Sequence, residues 1–196
     1  HLGNGEVIQN SLIIFKDGKL TFVGTTETKR PEGTIIQAAG KHVYPGFIAT
    51  NASLGLAEVD AVRATVDVDE VGSMLPHIRS LIAYNAESKV IESMRPNGVL
   101  MAEIAPRGGT ISGTASVTQL DAWNWEDAAV KVDHGIHMNW PSSFTSGRWW
   151  LGEDPALKPD KNYPKNTQRV ADYFANAKMY LNGDRSEMNL AYEAME

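Results

Sequence analysis

Two short apolar runs, Leu12-Ile13-Ile14-Phe15 and Leu20-Thr21-Phe22-Val23, flank Lys16-Asp17-Gly18-Lys19. β-Branched and aromatic residues on both sides of Asp-Gly specify a hairpin, because Gly18 accepts the positive φ that such a tight turn demands. Turn signals at Arg30-Pro31-Glu32-Gly33 and Ala39-Gly40-Lys41 then bracket a further short strand, Thr34 to Gln37. The chain next enters Val43-Tyr44-Pro45-Gly46-Phe47-Ile48-Ala49. Residues 1–45 are therefore expected to form a small antiparallel β-module that hands over to a more buried strand.

Downstream, Glu58 to Val71 mixes acids and apolar residues without a helical stripe, and reads as loop with a short helix. Val99 to Ala105 is a mostly apolar run ended by Pro106, the pattern of a strand buried on both faces. Arg107 to Leu120 is rich in Gly, Ser and Thr and suggests a hairpin-like excursion, and Val130 to Trp140 reads as another strand. Residues 141–166 hold four prolines, Gly147 and Gly152, and are expected to be a long surface excursion. In the stretch Thr167 to Leu181, Val170, Tyr173, Phe174, Ala177 and Leu181 recur at helical spacing, and Asn182-Gly183 supplies the stop. A second helix is expected from about Arg185 to Glu196.

Composition removes several classes of function. The 196 residues carry a net charge of −6, which gives no general attraction to nucleic acid or anionic lipid. No run of 18 apolar residues exists to span a membrane as a helix. Cysteine is absent, so disulfides, thiolate metal sites and cysteine nucleophiles are absent too. That absence fits a cytoplasmic or an exported, periplasmic protein equally, and leaves the compartment open.

The ordered set Asp17-Gly18-Lys19, Val23-Gly24, Gly40-Lys41 and Pro45-Gly46-Phe47-Ile48 resembles the start of an amidohydrolase-superfamily enzyme. The similarity continues through Leu54-Gly55-Leu56, Ala83-Tyr84-Asn85, Arg95-Pro96-Asn97-Gly98-Val99, Gly108 to Gly113 and Trp123-Asn124-Trp125-Glu126-Asp127, and this set is similar to the imidazolonepropionase-related branch. The resemblance implies an α/β fold: a small N-terminal β-sandwich, partial over residues 1–45, followed over 46–196 by the first part of a (β/α)8 TIM-like barrel. Such a barrel needs about 250 residues, so the chain is expected to be a piece of a larger polypeptide. The implied activity is metal-dependent hydrolysis of non-peptide C–N bonds in small amides or cyclic amides, with a divalent metal such as zinc in the longer polypeptide. No metal is expected from this chain alone, and the fragment alone is expected to be inactive.

One departure bears on that chemistry. The family's Asp-x-His-x-His metal motif falls here on Ala49, Asn51 and Ser53. Two imidazoles at i and i+2 on a strand point the same way and grip a metal; an amide and a hydroxyl are poor ligands for zinc-like ions. This supports an alternative, a non-catalytic structural or binding subunit that pairs with another chain. The expected partners are accordingly a small amide substrate, and either the remainder of the barrel or a homologous subunit.

Candidate site residues follow from position. Asn51, Ser53 and Glu58 fall at the expected C-terminal mouth of the first barrel strand, where barrel enzymes place their chemistry. Asn51 and Ser53 would bond a substrate or water there, or else pack beneath the loops; Glu58 would face the mouth or serve as a loop carboxylate. His134 and His137 are spaced i, i+3, which unites them on a helix but separates them on the strand that their surroundings favour. His137 is the weak metal-ligand candidate, against a structural or edge histidine. Arg107-Gly108-Gly109-Thr110 lacks the Lys and spacing of a phosphate loop and reads better as a tight hairpin turn. Trp149-Trp150 is either a ligand or partner contact or a clamp for its own loop.

Overall fold

The computed structural model describes residues 1–29, 32–183 and 185–196. Its contacts divide the chain into two units, His1–Gly46 and Phe47–Glu196.

In the first unit, β1 (Ser11–Lys16) and β2 (Lys19–Thr25) pair antiparallel with Lys16 opposite Lys19. Asp17 and Gly18 form the turn at φ of 51° and 72°, the left-handed pair that the Asp-Gly signal anticipates. Thr34 to Gln37 forms no strand, and Ile35 and Ile36 are exposed. Without a paired neighbour these residues have no ladder to join, so the described residues of this unit hold one two-stranded hairpin and not a sandwich. The turn at Arg30-Pro31 lies outside the described residues. Elsewhere in this unit, the His1 ring stacks on Tyr44 and places Nε2 3.1 Å from His42 Nδ1.

The second unit is organised by β3 (Phe47–Ala52), β4 (Val99–Ile104), β5 (Ile111–Gln119) and β6 (Ala129–Met138), hydrogen-bonded in that order. β3 and β4 are parallel, with Ile48 opposite Met101; β4–β5 and β5–β6 are antiparallel. Helices are few: α1 (Lys89–Met94), α2 (Trp125–Ala128), α3 (Tyr163–Leu181) and α4 (Leu190–Glu193). Two-residue strands β7 (Phe144–Thr145) and β8 (Lys158–Pro159) pair within the excursion.

This sheet overturns the expected TIM-like barrel portion, because strands and helices do not alternate. A parallel crossover takes a dozen or more residues, usually a helix, whereas only residues 105–110 separate β4 from β5. Gly108 and Gly109, at φ of 77° and 57°, reverse the chain within that span and force an antiparallel return. The segment read as an excursion, Arg107 to Leu120, therefore supplies one of the two inner strands.

The core lies on one face of the sheet. Ala102 and Ile104 of β4 pack with Leu56, Leu81, Tyr84, Ile91, Leu120 and Ala128. Full burial of each large aliphatic side chain here is worth about 1.5–3 kcal/mol. β5 meets this core with Ser116 and Thr118, both fully buried. Ser80 Oγ lies 3.0 Å from the carbonyl oxygens of both Ile104 and Thr114, satisfying backbone groups where β4 and β5 diverge. β3 is less buried than its sequence suggests: Phe47 and Ile48 are 67% and 56% exposed. β4 is covered fully on one face only, with Leu100 exposed at its start.

α3 begins earlier than its apolar spacing indicates, because Pro164 in its first turn is compatible with helix where the amide would be unpaired anyway. The helix expected from Arg185 shrinks to the single turn α4, whose start is set by Asn189 accepting from the backbone N–H groups of Ala191 and Tyr192.

Candidate functional site

The C-terminal ends of the parallel strands β3 and β4 face the same way, and open α/β sheets bind ligands outside such ends. Both neighbouring registers are irregular there. Between Ala49 and Ala52 the β3 chain spends one residue more than β4, and Asn51 takes φ +50°. Between Lys131 and Gly135 the β6 chain spends two residues more than β5, and Asp133 takes φ +44°. Asn and Asp are the non-glycine residues that tolerate this region best. Bulges re-aim side chains and occur near active sites, as does left-handed strain.

These two bulges bring together four groups from three segments that are far apart in sequence. The Asn51 N–H donates to Glu103 Oε2 at 3.2 Å, because the bulge turns it away from the strand ladder. Glu103 Oε1 lies 3.2 Å from His134 Nε2, the two side chains being 29% and 21% exposed. Arg107, just beyond β4, donates from Nη2 to the Asn51 carbonyl at 2.7 Å. Asn51 is thus clamped by its backbone, with an anionic acceptor on its N–H and a cationic donor on its carbonyl.

The opposite face of β6 carries a second network. Asp133 Oδ2 accepts from Arg79 Nε at 2.5 Å, and Oδ1 from the hydroxyls of Thr114 and Ser116 at 3.3 Å each. The Asp133 N–H donates to Ser116 Oγ at 2.9 Å. Successive residues therefore serve opposite faces: Asp133 is tied to the core side, and His134 reaches Glu103.

Of the residues singled out from sequence, Asn51 belongs to this set through its backbone. The Ser53 carbonyl accepts from Leu56 and Ala57 and closes the turn after β3. Glu58 accepts from Asn85 Nδ2 at 3.3 Å and ties its loop to that segment. His137 sits opposite Gly113, further along β6, and takes no part in these hydrogen bonds. Glu103 was missed in sequence, although a single carboxylate inside the apolar run Val99–Ile104 is the signal for it.

A divalent metal does not fit the residues that align with the family motif. Ala49 has no donor and packs against the apolar core, and Asn51 is engaged through its backbone. Among the described residues, no three His, Asp or Glu side chains gather as a metal-binding group.

Two further concavities lie in this unit. One, of about 780 Å³, runs along α3 past Lys165, Arg169 and Tyr173; the other, of about 370 Å³, is lined by Asp67, Asp69, Glu70, His77 and Arg79. Burial raises the Tyr173 phenol above its ordinary value, with Tyr192 adding to the effect.

No protein-family profile and no curated protein sequence matches the chain. Among solved structures, an amidohydrolase from Thermotoga maritima MSB8 is similar, with a TM-score of 0.63 at 20% identity. The likeness covers 93% of this chain and 49% of that one, so the chain spans about half the length of the protein it matches. At this identity the likeness defines an amidohydrolase-like fold.

Proposed function

We propose that this chain is part of a hydrolase acting on non-peptide C–N bonds of small amides or cyclic amides. The observation that carries the reading is the Asn51–Glu103–His134 set at the C-terminal ends of β3 and β4. The amidohydrolase-like fold supports it. A carboxylate that orients an imidazole is the arrangement that proton transfer in acyl chemistry needs. Arg107 and the Asn51 peptide hold the site's rim in place. Any divalent metal such as zinc would be held by groups outside this chain, in a longer polypeptide or in a homologous subunit that completes the fold.

The test is turnover of N-acyl amino acids and cyclic imides by the complete polypeptide. Glu103→Gln and His134→Ala are expected to lower kcat about 100-fold, the lower range for loss of acid–base assistance. Unchanged turnover in both variants overturns the placement of the chemistry at this set, and no turnover by the complete polypeptide overturns the hydrolase reading.

A second reading, a non-catalytic subunit pairing with another chain, is favoured by Ala49, Asn51 and Ser53 standing where a metal-binding pair is expected. The same assay separates the two: a stable assembly without amide turnover in any combination supports the subunit.

A further inference from the structure

Resting on that reading of the sheet's end, we propose that His134 is the proton-transfer residue of the site and that Asp133 is its positioning residue. An ionised carboxylate only accepts hydrogen bonds. Glu103 takes the Asn51 N–H on Oε2 and faces His134 Nε2 with Oε1, so Nε2 carries the ring hydrogen. The lone pair is then on Nδ1, the nitrogen free to act as a base. In amide hydrolysis Nδ1 takes a proton from water as the water oxygen bonds to the carbonyl carbon. It returns that proton to the nitrogen as the C–N bond breaks, and Glu103 stays ionised throughout.

This geometry depends on where the backbone of residues 133–134 is held. Among the described residues β6 pairs with β5 alone in the sheet, and its two extra residues have no ladder partner there to fix them. Four hydrogen bonds do so instead, all through Asp133: from Arg79, Thr114 and Ser116 to its carboxylate, and from its own N–H to Ser116. They hold Asp133 at φ +44° and leave His134 directed to the other face, toward Glu103.

The experiment is long-range proton–nitrogen NMR of the His134 ring in labelled protein, without substrate. The expected result is an Nε2–H tautomer in the starting protein, lost to a tautomer mixture in both Glu103→Ala and Asp133→Gly. Glycine accepts the positive φ but offers no carboxylate, so it separates side-chain anchoring from backbone conformation. Asp133→Asn keeps an acceptor for Thr114 and Ser116 and is expected to retain the tautomer. Should Asp133→Gly fail to fold, Ser116→Ala carries the same test, since it removes two of the four bonds and leaves the Arg79 pair. An Nδ1–H tautomer in the starting protein, or an unchanged His134 signal in Asp133→Gly or Ser116→Ala, overturns the proposal. Undiminished turnover in His134→Ala also overturns the proposal, whereas an Nε2–H ring that responds to these variants in a polypeptide without amide turnover would defeat the hydrolase reading alone.

Discussion

His134 Nε2 lies 3.2 Å from Glu103 Oε1 although the whole of β5 runs between their strands. In a regular sheet a side chain two strands away stands about 9–10 Å off. The bulge around Asp133 closes that gap by freeing β6 from its register and letting the imidazole lean across β5. The pair is therefore a product of an irregularity, and whatever relaxes the bulge also parts the pair.

A double-mutant cycle on Glu103 and His134 measures this directly. Side chains in contact and partly screened by their surroundings couple by about 1 kcal/mol. Chemical denaturation of Glu103→Ala, His134→Ala and the double variant is expected to give that coupling. Strict additivity would show that the two side chains do not interact in solution.

Gly113 is irreplaceable for steric reasons. A Cβ there would stand 2.3 Å from the Ile78 carbonyl oxygen, at a backbone φ of +143°. Gly113→Ala combines a backbone clash with a conformation that L-residues avoid, and is expected to cost about 3 kcal/mol or more. Denaturant titration checks it; a loss under 1 kcal/mol, on the order of an ordinary surface change, would contradict the close approach.

Ser80→Ala removes the hydroxyl shared by the Ile104 and Thr114 carbonyls at the point where β4 and β5 separate. Leaving buried acceptors with one partner fewer is expected to cost about 1–3 kcal/mol. The same measurement serves, and Ser80→Thr, which keeps a hydroxyl, should recover part of the loss.

Acid should loosen the β7–β8 excursion before the sheet. The Arg148 N–H holds Glu153 below its ordinary value of 4.5, and the Ala156 N–H holds Asp154 below 3.8, with Lys158 assisting. Carboxyls lowered by folding contribute stability above those ordinary values, and it is lost as the pH falls through the lower folded ones. Fluorescence of Trp149 and Trp150, which sit between these anchors, is expected to change below about pH 4. Glu153→Gln should weaken that transition, and an identical acid profile in this variant would contradict the anchoring.

What could be read from the sequence was local. Asp17-Gly18 between two apolar runs announces its hairpin, and the spacing of Val170, Tyr173 and Ala177 announces α3, because each signal acts within a few residues. β5 escaped because Ser112, Thr114, Ser116 and Thr118 look like turn residues. Their hydroxyls are buried and reach backbone or carboxylate partners that only the folded sheet supplies. The barrel expectation failed at the same place: the Gly-Gly segment, which reads as a tight hairpin turn, returns the chain antiparallel from β4 to β5 and leaves no helical crossover between them. Asn51 stands out in the sequence for its position in a motif, while its contacts to Glu103 and Arg107 pass through its backbone. Glu103 and His134 meet only after two registers have slipped, which no spacing in the chain encodes.

The most direct test of the account is where a small amide binds. In labelled protein titrated with an N-acetyl amino acid or hydantoin, the backbone signals of Asn51, Glu103, Arg107 and His134 should shift together and saturate. Saturable shifts confined to the groove along α3, with those four signals unmoved, would contradict it.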